Sequence, residues 1–206
     1  MPEYIAIGDI HGTDVLLGKL LSRLPRQGEL VFLGDYIDRG PGSRAVLDCL
    51  SRLAMERSCH FLRGNHEAML LAALDGDRVM EQFWLRNGGL QLLDSYAGRP
   101  TAEHVAFLRQ TVPYLATDDY IFVHAGLRPA VPLAEQTLDD LLWIRDPFLQ
   151  STYDWGRRVI HGHTPTDGLA PDILPHRINV DTGAVYGGAL TAIALPDCTC
   201  IAIPAT

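Results

Sequence analysis

The chain has 206 residues, 47% hydrophobic and 20% charged, with a formal net charge of −8. That length suits a single globular domain over residues 1–206, burying roughly 70% of the surface its unfolded chain exposes, and argues against two domains. An acidic chain without a Lys/Arg-rich run offers no phosphate-neutralising surface to nucleic acid, and no stretch approaches the ~20 apolar residues that span a bilayer.

Cys49, Cys59, Cys198 and Cys200 form no CxxC pair and no dense disulfide spacing, so they read as free, buried or half-buried thiols. A soluble protein, cytoplasmic if those thiols stay reduced, is the expectation.

Along the chain, Tyr4–Ile7 is a short apolar run ending at Gly8. Thr13 or Asp14 can cap a following helix whose apolar face is Val15, Leu16, Leu20, Leu21 and Leu24. Leu30–Leu33 repeats the strand and ends at Gly34, Ser43 opens a helix to about Glu56, and His60–Arg63 is a third strand ending at Gly64. Strand-loop-helix units of this kind predict parallel strands buried on both faces, with chemistry in the loops at their carboxyl ends.

From His66 to about Arg109 the pattern is helical, with Met69, Leu70, Leu71 and Leu74 on one face and Gly88-Gly89 as a break. Further strands are expected at Tyr120–Val123, Arg158–Ile160, Arg177–Val180 and Ala189–Leu195, with Cys198–Ile203 as a last hairpin arm, giving a second sheet layered on the first. Residues 127–155, rich in Pro, Asp and aromatics, read as an irregular loop bordering a site.

Five polar, glycine-punctuated clusters carry the chemistry: Gly8-Asp9-Ile10-His11-Gly12, Gly34-Asp35-Tyr36-Ile37-Asp38-Arg39-Gly40, Gly64-Asn65-His66-Glu67, Val123-His124-Ala125-Gly126 and His161-Gly162-His163-Thr164-Pro165. Each alone has an ordinary structural reading: a capped turn, a helix N-terminus with Asn65 as cap, a core histidine. Five in this order, each after an apolar strand, supply the donors for two metal ions.

A two-metal hydrolase needs a carboxylate bridging ions ~4 Å apart, and Asp35 is the natural bridge. Asp9 and His11, separated by one extended residue, can point toward one ion, while Asn65, His124 and His163 complete the second. Asp, Asn and His donors without cysteine suit manganese, iron or zinc alike. In the turn after Asp38, the Arg39 guanidinium can hold two phosphate oxygens. His66 can protonate a leaving alkoxide, oriented by Asp38.

The ordered motifs GDIHG, GDYIDRG, GNHE, VHAG and GHTP closely resemble those of the calcineurin-like metallophosphoesterases, in particular their phosphoprotein phosphatase branch. The segments Leu85–Gly89, Trp143–Arg145 and Asp181–Tyr186 extend the resemblance along almost the whole chain. It implies an α/β fold, a β-sandwich of two mixed sheets flanked by helices around a βαβαβ metal-site core. It also implies two divalent ions, commonly manganese in bacterial members. One ion falls to Asp9, His11 and Asp35, the other to Asp35, Asn65, His124 and His163. Arg39 and Arg145 become phosphate clamps, and His66 with Asp38 the acid pair.

Pro165 stands where the wider superfamily has a second histidine, so the first ion has fewer protein ligands, and His161 reads as structural with ligation as its alternative. The expected activity is phosphomonoester hydrolysis on phosphorylated protein, peptide or small phosphoesters, most of all on Ser or Thr. The alternative is diadenosine tetraphosphate hydrolysis, weighed down because the symmetrical hydrolases of that group typically carry Ala where Asp38 stands and Asp where Glu67 stands. A metal-binding scaffold without turnover has no need of the acid pair.

Overall fold

The computed structural model describes residues 3–205. Two five-stranded mixed sheets pack face to face. In the first, β1 (Tyr4–Ile7), β2 (Glu29–Phe32) and β3 (Cys59–Phe61) run parallel, β9 (Ala189–Leu195) joins antiparallel on the other side of β1, and β10 (Thr199–Pro204) pairs antiparallel with β9. In the second, β5 (Tyr120–Val123), β6 (Arg158–His161) and β8 (Arg177–Asn179) run parallel between two short antiparallel edges, β4 (Tyr114–Ala116) and β7 (Asp172–Ile173).

The layer between the sheets is apolar. Ala6, Val31, Leu33 and Ile193 from the first sheet meet Phe122, Ile160, Ile178 and Val180 from the second, all fully buried. The outer face of the first sheet is covered by α1 (Asp14–Arg23) and α2 (Ser43–Glu56). In α1 the buried residues are Leu16, Leu17 and Leu20, while Val15 is 62% exposed. The expected apolar face is thus rotated: Leu17, Leu20 and Leu24 share one 3.6-residue stripe, and Val15 falls off it.

The helical excursion is α3 (Asn65–Leu74), α4 (Arg78–Trp84), a π-helical turn over Leu85–Gly89, α5 (Leu90–Tyr96) and α6 (Ala102–Arg109). The expected break at Gly88-Gly89 is this turn, a feature that recurs at functional sites. Gly88 sits at φ +110°, and a Cβ there would stand 2.7 Å from the Arg39 backbone nitrogen. The segment expected to be irregular contains a helix, α7 (Leu138–Trp143), capped by the Thr137 hydroxyl on the Asp140 N–H. Its short apolar stretch is hidden in a Pro- and Asp-rich context. Strands β4 and β7, of three and two residues, also escape the sequence pattern, because so few residues show no period. The four cysteines are free, and no helix among the described residues is long and apolar enough to cross a membrane.

Candidate metal centre

Six parallel strands, three in each sheet, point their carboxyl ends at one place. Asp9 and His11 follow β1, Asp35, Asp38 and Arg39 follow β2, and Asn65 and His66 follow β3. From the second sheet come His124 after β5, His163 after β6 and Asp181 after β8. The loops turn so tightly that His11, Asp35, Asp38, Arg39 and His163 all adopt positive φ, between 45° and 70°. L-residues hold that conformation at a cost, and such strain concentrates where geometry serves function.

Asp35 is shared by two groups of buried donors, His11–Asp35–His66 and Asp35–His124–His163. Its Oδ2 lies 3.3 Å from His11 Nε2 and 3.9 Å from His66 Nε2, whereas Oδ1 lies 3.4 Å from His124 Nε2. One carboxylate therefore presents a different oxygen to each group, as a bridge requires. Asp9 stands outside both groups: its two oxygens accept the His163 backbone N–H at 3.2 and 3.1 Å. His66 stands in the first group, and Asp9 approaches it from the β1 loop.

The donor set fits a cation on hydrogen-bond grounds. His124 Nδ1–H donates to the Leu33 carbonyl at 2.9 Å, which leaves Nε2 a bare lone pair. That lone pair lies 3.0 Å from Asn65 Oδ1, which is also 3.0 Å from His163 Nδ1. Burial disfavours the imidazolium of His124 and pushes its pKa down, so a proton does not relieve the crowding of acceptors. A metal ion does. His163 Nε2 is buried without a partner. At the other end, His11 Nδ1–H donates to the Ile37 carbonyl at 2.9 Å, again freeing Nε2, and Arg39 Nη1 donates to it at 2.5 Å.

Charge points the same way. Burial and the neighbouring carboxylates Asp181 and Asp35 raise Asp9 well above the usual range, and burial raises Asp181 to about 6. Burial works against ionising Asp35 too, but the surrounding imidazoles of His124, His66 and His11 outweigh it and hold its pKa well below normal. Three buried carboxylates this close are the environment that divalent cations neutralise.

His66 Nδ1 and Asp38 Oδ2 are 2.7 Å apart, and the Trp84 indole N–H donates to both Asp38 oxygens at 3.1 and 2.9 Å. Trp84 comes from the helical excursion and sequence reasoning missed it, as a lone Trp in a helical run signals only core. Asp181 was missed as a site residue although a signal existed: an apolar strand followed by an acid in a glycine-containing turn, the same pattern as Asp9 and Asp35. Arg145, exposed just after α7, lends its positive charge to His163, against whose ring Trp143 packs edge-on.

Glu67 makes no contact with donors of either group except through backbone. Its Oε2 accepts the Asp35 and Gly64 N–H groups at 2.8 and 2.9 Å, and Oε1 accepts that of Tyr36 at 2.9 Å. Glu67→Ala strands three buried donors, each costing ~1–3 kcal/mol. Urea unfolding should show a loss of about 3–5 kcal/mol, and a loss under about 1 kcal/mol would mean that solvent reaches this loop.

His161 is buried outside both donor groups, its ring edge-on to Phe148 and its Nε2 3.4 Å from Arg177 Nη1. Burial, helped by the Arg177 charge, pushes its pKa to about 3 from an ordinary 6.5. The unfolded chain binds the extra proton, so the group favours folding fully above pH 6.5 and loses that contribution as pH falls toward 3. His161→Gln should therefore flatten the fall in Tm between about pH 7 and pH 5. An unchanged slope would assign the fall to His66, His124 and His163, which burial also pushes down.

The chain is similar to several known proteins along most of its length. An asymmetrical bis(5'-nucleosyl)-tetraphosphatase, PrpE, of a Geobacillus species is 29% identical, with 97% of this chain and 93% of that protein covered. Serine/threonine-protein phosphatase 1 of Salmonella typhimurium is 34% identical over 90% of this chain and 88% of its own. Among solved structures, a putative diadenosine tetraphosphatase superposes with a TM-score of 0.77 at 26% identity, covering 98% of this chain and 93% of that one. A cold-active protein tyrosine phosphatase shares the fold at a TM-score of 0.68 and 21% identity, covering 98% and 78%. The calcineurin-like phosphoesterase profile matches residues 3–188, and the chain belongs to that family.

Proposed function

We propose that the protein is a dinuclear-metal hydrolase whose substrate is a dinucleoside tetraphosphate. The carrying observation for the reaction is Asp35, which offers separate oxygens to two buried donor groups. When bound, two divalent ions would supply Lewis acidity toward a phosphoryl group and lower the pKa of an attacking water. Asp9, His11 and Asp35 would hold one ion, with His66 beside it, and Asp35, Asn65, His124 and His163 the other; manganese, iron and zinc all suit these donors. Arg39 and Arg145 bind and orient the phosphoryl oxygens, and His66, held by Asp38, supplies a proton where the leaving oxygen is an alkoxide.

For the substrate, full-length similarity to several bis(5'-nucleosyl)-tetraphosphatases supports the dinucleotide over the phosphomonoester favoured by sequence motifs alone. One motif argument against it also weakens. Glu67 holds backbone N–H groups of the metal loop, so its identity bears on where Asp35 sits rather than on what is cleaved. A second reading, a Ser/Thr monoesterase, draws support from the intact His66–Asp38 pair, since an alkoxide leaving group needs an acid, and from the Salmonella relative.

The test is kcat/KM, with manganese supplied, on diadenosine tetraphosphate and on a phosphothreonine peptide. Preference for the dinucleotide is expected, and off-centre cleavage would release AMP and ATP rather than two ADP. Preference for the peptide would establish the second reading instead.

A further inference from the structure

Beside the phosphate-binding arginine lies an aromatic ring that nothing in the core requires. Tyr186 sits in a short turn, Ala184–Tyr186, between two left-handed glycines, Gly183 at φ +69° and Gly187 at φ +88°. The Gly188 N–H donates back to the Gly183 carbonyl at 3.0 Å and the Ala189 N–H to that of Thr182 at 3.1 Å, so the turn is fixed at its base. The ring packs under the Arg39 guanidinium, 5.4 Å from carbon to centroid, yet the residue remains 58% exposed. Leaving a tyrosine this open forfeits apolar burial, which a ligand can recover.

Gly183 makes a notch next to it. A side chain at Gly183 would meet Leu169 Cδ2 at 3.0 Å and the Cβ atoms of Pro165 and Tyr186 at 3.9 Å each. Leu169, itself 44% exposed, thus lies close to the same Gly183 that Tyr186 flanks. The loop that carries Leu169 also walls a cavity of about 440 Å³ lined by Thr164, Thr166 and Asn179 among others. Apolar and aromatic surface next to an arginine suits a planar base.

We infer that Tyr186, with Leu169 at the Gly183 notch, is a nucleobase-binding wall that places a nucleoside beside the phosphate held by Arg39. The inference rests on the nucleotide reading of the site and names where its specificity lies. Every base presents a π-face, so the wall selects nucleosides as a class over other phosphate esters rather than one base over another.

AMP and ribose 5-phosphate share phosphate and sugar and differ by the base. Their inhibition constants are to be measured on the manganese-loaded protein with p-nitrophenyl phosphate as reporter. AMP should inhibit about 5- to 100-fold more tightly, the range one base–aromatic stack provides. Tyr186→Ala should bring the two constants within about twofold while leaving that of ribose 5-phosphate in place, and Tyr186→Phe should keep the preference. Equal constants in the unaltered protein, a preference surviving Tyr186→Ala, or an equal loss on both ligands would overturn the inference, the last by showing that Tyr186 only positions Arg39. If diadenosine tetraphosphate is not cleaved but the AMP preference exists and depends on Tyr186, the substrate reading falls and the nucleobase wall stands.

Discussion

Asp35→Asn should lower bound metal from two ions per chain toward one or none after dialysis, and cut turnover by roughly 10³-fold or more, because both donor groups lose their shared anion. The substitution isolates charge from shape. Asp35 occupies a left-handed conformation, φ +52°, which asparagine tolerates better than most residues. The amide oxygen can still accept the His66 backbone N–H that Asp35 Oδ1 accepts at 3.1 Å. The Asp35 and Tyr36 N–H groups remain held by Glu67.

What changes is one negative charge among Asp9, Asp181 and four imidazoles. Without metal, thermal unfolding of the variant should stay within about 5 °C of the parent, since repulsion from Asp9 and Asp181 is relieved as attraction to histidines is lost. Equal metal content by elemental analysis would contradict the bridging role outright. A Tm collapse in the metal-free protein would show instead that Asp35 serves the fold.

Much of this centre was legible because the parallel strands impose a rule. Each apolar run of three or four residues ends in a glycine or polar turn, and the residue that turns inward is an acid, amide or histidine. The rule located Asp9, Asp35, Asn65, His124 and His163, and the two-sheet α/β architecture with them. Applied once more after β8, it reaches Asp181, which motif resemblance alone left without a role.

What stayed hidden depends on contacts between distant segments. Trp84 meets Asp38 only because Gly88 and Gly89 let the π-helical turn close on the Arg39 loop, where the Arg39 N–H donates to the Gly88 carbonyl at 3.2 Å and a Cβ on Gly89 would strike the Trp84 ring. The glycine pair was visible as a break, but its partner across 49 residues was not. Likewise the alternating Asp-x-His pattern brings Asp9 to the strand end, but its hydrogen-bond partner there, the His163 N–H, lies 154 positions away. Local spacing fixes which donors leave one strand end; which of them face a common point is decided by the opposite sheet.

His66→Asn tests the acid. Its expected effect scales with the leaving group: a drop of about 10²–10⁴-fold on an alkyl phosphate, whose alkoxide must be protonated, and below about tenfold on p-nitrophenyl phosphate or the tetraphosphate, whose leaving oxygens carry charge unaided. The geometry favours this role over ligation. His66 Nε2 is buried without a hydrogen-bond partner and stands 3.9 Å from Asp35 Oδ2, farther than the 3.3 Å of His11. Metal content should then match the parent, and a parallel loss of metal would make His66 a ligand.

The pair also predicts a pH limb. Burial raises Asp38 to about 8, against the pull of the Trp84 N–H, and burial lowers His66 to about 4. Between those values Asp38 is protonated and donates to His66 Nδ1, so the ring's own proton sits on Nε2, facing outward for transfer. Above about 8 Asp38 ionises, Nδ1 keeps the proton to bond it, and Nε2 becomes bare. Turnover of alkyl phosphates should therefore fall as pH rises through that region while p-nitrophenyl phosphate turnover does not, and a common alkaline limb for both substrates would remove Asp38 and His66 from the proton transfer.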